Sequence, residues 1–94
     1  MTFKLRFKKQ AKKEWDRLDP VVREMFVKKL KERRDHPRVE SSRLHGMKHC
    51  YKIKLRSAGY RLVYEVRDQE VVIVVIAVGK REKNQAYLRA RQRS

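Results

Sequence analysis

The sequence predicts a single α+β domain: an N-terminal strand, a helical hairpin, an antiparallel three-stranded meander forming one sheet packed by the helices, and a short C-terminal helix. Three observations lead there. Helical spacing of apolar residues follows a strand-like start, and alternating β-branched and aromatic residues dominate positions 51–78. A chain of 94 residues also suits one core and falls short of two, since single cores usually need roughly 50–150 residues. Residues 1–94 are therefore read as one domain without repeat or linker.

Phe3, Leu5 and Phe7 alternate with Lys4 and Arg6, the period of a half-buried strand. From Lys8 to Leu18 the residues Ala11, Trp15 and Leu18 recur at helical spacing. Asp19 then offers an N-cap oxygen and Pro20 a first helical residue whose missing N–H costs nothing there. The second helix carries Val22, Met25, Phe26 and Leu30 on one face and stops at Pro37. Residues 36–49 lack periodicity and read as a loop. Three strands follow, Tyr51–Arg56, Tyr60–Val66 and Val71–Val78, separated by short turns. The last is apolar on both faces, which suits a central position. Beyond Asn84, Ala86, Leu88 and Ala90 lie among arginines, compatible with a short, poorly buried helix or a frayed tail.

Lys and Arg number 27 against 11 Asp and Glu, a formal charge of +16 that repels itself unless an anionic partner neutralises it. Nucleic acid is the commonest such polyanion, because neutralised phosphates release condensed counterions. No segment has the roughly 18 apolar residues of a membrane span, and the start MTFKLRFKKQ lacks a secretory apolar stretch, so a cytoplasmic protein with no membrane partner is expected. Cys50 is the only cysteine and reads as a small buried hydrophobe. With His45 and His49 it lacks a fourth ligand at zinc spacing, so no metal site is expected.

Cations converge in the meander. In YKIKLR the residues Lys52, Lys54 and Arg56 share one strand face, and Arg61 joins that face if the buried sets of the two strands coincide. That requires an even-length loop around Gly59, with Arg56 opposite Arg61, Leu55 opposite Leu62 and Lys54 opposite Val63. A second hairpin pairing Val66 with Val71 brings Ile76 opposite Arg61 and Gly79 near Ala58, so that Lys80 and Arg81 emerge beside Arg56 and Arg61. The five residues from Lys83 to Tyr87 keep Tyr87 near that end. A merely structural face would favour opposite charges across the strands. A phosphate site accounts for the arrangement better than solvation of isolated lysines. Trp15, Phe26, Leu30 and Tyr64 read as core, and Lys12, Lys13, Arg33 and Arg34 as helix-surface charges.

The segments KEWDRLDPVVRE, GMKHCYKIKLRSAGYRLVYEV and VIAVGKREKNQAY resemble the RelE branch of the RelE/ParE toxin superfamily over nearly the whole chain. The resemblance implies the toxin of a type II toxin–antitoxin system, a metal-independent endoribonuclease without cofactor. Such a toxin enters the ribosomal A site, lined by 16S ribosomal RNA, cuts the bound mRNA and is held inactive by a RelB-type antitoxin. It also implies an active face at Lys52, Lys54, Arg61, Arg81 and Tyr87, beside which the strand pairing expected above puts Arg56 and Lys80 as further RNA contacts. The implied reaction is attack of the 2′-hydroxyl on the adjacent phosphorus. It needs a base, for which Lys54 is the candidate, a group acting on the leaving oxygen, for which Arg81 is, and cations for the developing charge. Lys52 and Arg61 would clamp the phosphate, and Tyr87 would stack on a base or bond the 2′-hydroxyl. Two alternatives stay open: a ParE-like gyrase poison, and a non-catalytic RNA- or ribosome-binding module for which charge alone suffices.

Overall fold

The computed structural model describes residues 2–93. Seven principal elements follow in chain order: β1 Lys4–Phe7, α1 Lys9–Asp16, α2 Pro20–Asp35, β2 Cys50–Leu55, β3 Tyr60–Arg67, β4 Val72–Lys80 and α3 Gln85–Arg93. The expected α+β class and element order hold. Asp19 caps α2 as expected, its carboxylate accepting from the Val21 N–H at 2.9 Å with Pro20 as the first helical residue. The loop before β2 contains a single helical turn, Glu40–Ser42.

The sheet order is β1-β4-β3-β2. The meander is antiparallel, whereas β1 adds to its far side in parallel with β4, so the sheet is mixed. Strand β4 lies inside the sheet and is buried on both faces from Val72 to Gly79, as its unbroken apolar run anticipates.

Both hairpins differ from the expected register; the first keeps the expected facing of side chains, whereas in the second the facing holds only up to Ile76 and Val78 and Lys80 turn to the face of α1 and α2. Lys54 lies opposite Arg61, Ile53 opposite Leu62 and Leu55 opposite Tyr60, two residues away from the expected pairing. Arg56–Gly59 form the loop, closed by the Gly59 N–H to the Leu55 carbonyl at 2.8 Å, with Gly59 at φ +71°. Period-2 patterning admits any shift of two residues, so it could not separate these registers. In the second hairpin Arg67 pairs with Val72, and Val71 is spent in the turn at φ +55° instead of opening the strand. Tyr64 then pairs with Val75 but Val63 with Ala77, an irregularity that skips Ile76. Gly79, not Ile76, therefore stands opposite Arg61.

One face of the sheet packs on α1 and α2 through Ala11, Trp15, Phe26 and Leu30 against Ile53, Leu62, Tyr64, Ile73 and Val75. Phe7, Trp15 and Phe26 form a chain of tilted rings with centroids 5.2 and 6.0 Å apart. The other face carries a smaller cluster of Met47, Cys50, Val63, Ile76, Ala77, Ala86 and Ala90.

That second cluster corrects the reading of α3 as poorly buried. Ala86 and Ala90, one turn apart, are 1% and 0% exposed and let the helix backbone settle onto the strands. The approach is tight at Gly79, where a Cβ would lie 3.0 Å from that of Gln85 and 3.2 Å from the Ala86 nitrogen. Glu14 of α1 clasps the helix. Its carboxylate accepts from Arg93 at 2.6 and 2.9 Å, lies 3.4 Å from Arg89 and accepts from the Val78 N–H at 3.1 Å. Burial pushes this carboxyl up, but those hydrogen bonds and the two guanidinium charges outweigh it and hold Glu14 below the usual glutamate range.

Candidate active site

The face of β2 and β3 not covered by α1 and α2 carries the predicted cations. Its Cys50 and Val63 end lies under α3, and the remainder presents Lys52, Lys54 and Arg61. Lys54 and Arg61 are direct cross-strand partners, a like-charged pair that would destabilise an unliganded sheet. Lys54 is exposed, and its amine is held below the usual lysine range first by the charge of Lys52, then by partial desolvation, Arg61 and Arg56. Four of the singled-out residues thus occupy one electrostatic neighbourhood.

Arg61 is partly buried and steadied by a hydrogen bond from its Nη1 to the Tyr60 carbonyl at 2.9 Å. Above it, α3 delivers Tyr87. Burial raises the pKa of this phenol, and the charge of the nearby Arg61 and the approach of its guanidinium to the phenol oxygen oppose the rise. Its hydroxyl is the single buried side-chain polar atom among the described residues that lacks a hydrogen-bond partner.

Arg81 follows β4 directly. Its main-chain N–H donates to the Gly59 carbonyl at 2.7 Å, tying it to the β2–β3 turn, and its side chain is exposed. Lys80, opposite Tyr60, lines two hollows, one with Glu14, Leu18 and Arg89 on the side of α1 and one with Arg81 and the turn of residues 57–60. Glu65 lies beyond Lys52, opposite Cys50, and its carboxylate is held by Arg67 at 2.7 Å. The Cys50 thiol is buried and pushed up to about 11, which keeps it protonated near neutral pH. Among the described residues no group of three His, Cys, Asp or Glu side chains could hold a metal ion, and no helix is long and apolar enough to cross a membrane.

Arg33 and Arg34 are not free helix-surface charges. Arg33 donates from Nη1 to the Lys52 carbonyl (3.1 Å) and the Tyr64 hydroxyl (2.9 Å), and from Nη2 to Ser42 Oγ (3.2 Å), with its guanidinium 5.7 Å from the Tyr64 ring centre. It braces β2 from behind the cationic face. Arg34 Nε donates to the Phe3 carbonyl at 2.8 Å. A signal existed for Arg33: the spacing 26, 30, 33 places it on the buried stripe of α2. The same holds for Glu14, three residues from Ala11 and four from Leu18.

Chemically, the face offers a guanidinium and an ammonium group for a phosphate, a second amine whose neutral form is made more accessible, and a phenol held beside them.

The family model described as the ParE toxin of type II toxin–antitoxin system, parDE, matches residues 5–85. The mRNA interferase toxin RelE of Escherichia coli strain K12 is 53% identical over 93 residues, which cover 99% of this chain and 98% of the relative. A mutant of E. coli RelE in its free state superposes with a TM-score of 0.91 at 52% identity, covering 99% of this chain and 98% of that one. The toxin in the intact E. coli RelBE toxin–antitoxin complex has a TM-score of 0.83 at 54% identity, covering 88% of this chain and 100% of that one. Half-identity over the full length to RelE proteins, on the fold that the ParE model also describes, places this chain in the RelE branch of the RelE/ParE toxin family.

Proposed function

We propose that this chain is a ribosome-dependent endoribonuclease, a toxin that cuts mRNA in the A site and thereby stops translation. The observation that carries the reading is the Lys54–Arg61 cross-strand pair, with Lys52 and Arg56 beside it and the unpartnered Tyr87 hydroxyl over Arg61. Support comes from the relatives named mRNA interferase. In the proposed reaction the substrate's own 2′-hydroxyl attacks the adjacent phosphorus as the bond from phosphorus to the 5′-oxygen breaks, leaving a cyclic phosphate and a 5′-hydroxyl whose proton comes from solvent, so neither a metal nor an external water is consumed. Lys54 takes the hydroxyl proton, Lys52 and Arg61 hold the phosphate oxygens, and Arg81 stabilises the departing 5′-oxygen. Arginine keeps its proton tightly, so Arg81 acts chiefly through charge. Tyr87 orients the 2′-hydroxyl or stacks on a base. A RelB-type antitoxin, as in the RelBE complex of the E. coli relative, would mask the basic surface.

Primer extension on translating ribosomes tests this. Wild-type protein is expected to leave discrete A-site ends that Arg81→Ala does not. Absence of ends with the wild type, or gyrase-dependent DNA breaks in their place, overturns the reading.

The role of Lys54 has its own signature. Its cationic form is disfavoured chiefly by Lys52, so removing Lys52 lets the amine hold its proton to higher pH. The rising limb of the single-turnover rate against pH should move upward in Lys52→Ala, whatever the change in absolute rate. An unmoved limb would exclude Lys54 as the group titrating there.

A further inference from the structure

At the outer edge of β2, a hollow of about 320 Å³ lies between this strand, α2 and the 40–42 turn. Lys29, Arg33 and Ser42 line it from behind, and Lys52, Lys54 and Arg56 line it from the strand. Four other hollows of comparable size each carry at least one carboxylate, whereas this one carries none. Lys29 and Arg33 sit four residues apart on α2, a like-charge spacing that weakens a helix unless an anion lies between. Arg33 is already fixed by its bonds to Lys52, Tyr64 and Ser42. Ser42 Oγ accepts from Arg33, so its own proton is available to a ligand. A rigid guanidinium, a hydroxyl donor and flexible ammonium groups around a small hollow match phosphate oxygens.

We propose that this hollow is a second phosphate-binding subsite, holding the phosphate of a nucleotide flanking the cleaved step on the same RNA strand. The inference rests on the RNA-cleavage reading, and the shared rim argues for one strand: Lys52 and Lys54 border both the reaction face and the hollow. A strand leaving the scissile position across the β2 edge meets the second set of cations with no acidic group between. The subsite would set how many nucleotides are gripped and where the strand is bent, and it would add affinity without reading a base.

The probes are 2′-O-methyl RNAs, which bind without a free 2′-hydroxyl and so are not cut: a heptanucleotide, and a dinucleotide with one phosphate. Lys29→Ala and Ser42→Ala are compared with Lys31→Ala, an exposed α2 residue outside the hollow. For Lys29→Ala the heptanucleotide is expected to bind about fivefold more weakly, and the slope of log affinity against log salt to flatten by about 0.7, the value of one single-strand phosphate contact. Ser42→Ala should weaken the heptanucleotide to a lesser degree with no change in slope. The losses should be confined to the longer strand, and Lys31→Ala should bind like wild type. Equal losses for both lengths, an equal loss in Lys31→Ala, no loss, or a loss seen only with ribosomes would overturn the subsite. Binding and cutting are separate readouts. Wild-type protein that grips the heptanucleotide through Lys29 yet cuts no mRNA would refute the nuclease reading and leave the subsite standing.

Discussion

Lys54→Ala is expected to lower the single-turnover rate of mRNA cleavage by about 10²–10⁴-fold, the usual contribution of a positioned acid or base, without lowering the melting temperature. The two halves of this outcome come from one arrangement. Lys54 is exposed, faces Arg61 across the strands and is repelled by Lys52, Arg61 and Arg56, so its removal takes away a proton acceptor and also a repulsion. A folded-state lysine pKa below its unfolded value means that the charged form opposes folding, an effect present at neutral pH and relieved only as pH rises through the folded value. The alanine variant should therefore melt at the wild-type temperature or slightly above it. A variant that cuts at the wild-type rate would remove Lys54 from the mechanism. One that loses activity together with several degrees of melting temperature would show that the lysine serves the fold instead.

Glu14→Ala is expected to lower stability by about 2 kcal/mol, less than the roughly 3–5 of a fully buried pair because Glu14 and Arg93 each keep 16% exposure. For a domain of this size that corresponds to a melting temperature lower by about 10 °C. The loss leaves Arg93, and in part Arg89, without their carboxylate and the Val78 N–H without its acceptor, which loosens the hold of α1 on α3. Because α3 carries Tyr87, cleavage should fall as well, and Glu14→Gln, which keeps the shape but not the charge, should lie between alanine and wild type. The pH dependence has a definite sign. Glu14 is held below its ordinary value, so its contribution is fully present above the unfolded value of about 4.3 and fades as pH falls through the folded one. Glu14→Gln should lose that part of the acid sensitivity. Equal melting temperatures for wild type and both variants would refute the clasp.

Element order and the facing of side chains up to Ile76 are legible in the sequence, since both follow from local periodicity; the residue skipped at Ile76, which turns Val78 and Lys80 to the other face, is not. Asp19 with Pro20 marked the start of α2, and VVIVVIAV marked an interior strand. Parity brought Lys52, Lys54 and Arg61 to one face even though the expected pairing was two residues off, because a shift of two preserves facing. Arg33 and Glu14 look like surface residues by charge alone, although their helical positions say otherwise. Each belongs to the buried stripe of its helix and bonds to a partner 19 to 79 residues away.

By itself, then, the sequence determined the α+β class, the order of its elements, the cationic face and the kinship with RelE toxins, all of which reside in local patterns or in residue identity. Only the tertiary structure decided the parallel place of β1 beside β4, the skipped residue Ile76 that sets Gly79 against Arg61, the docking of α3 through Ala86, Ala90 and Glu14, and the carboxylate-free hollow at the edge of β2. Each of these joins segments remote in the chain. Their geometry is set by which packing buries the most apolar surface while leaving polar groups paired, a competition over the whole chain that no local period records.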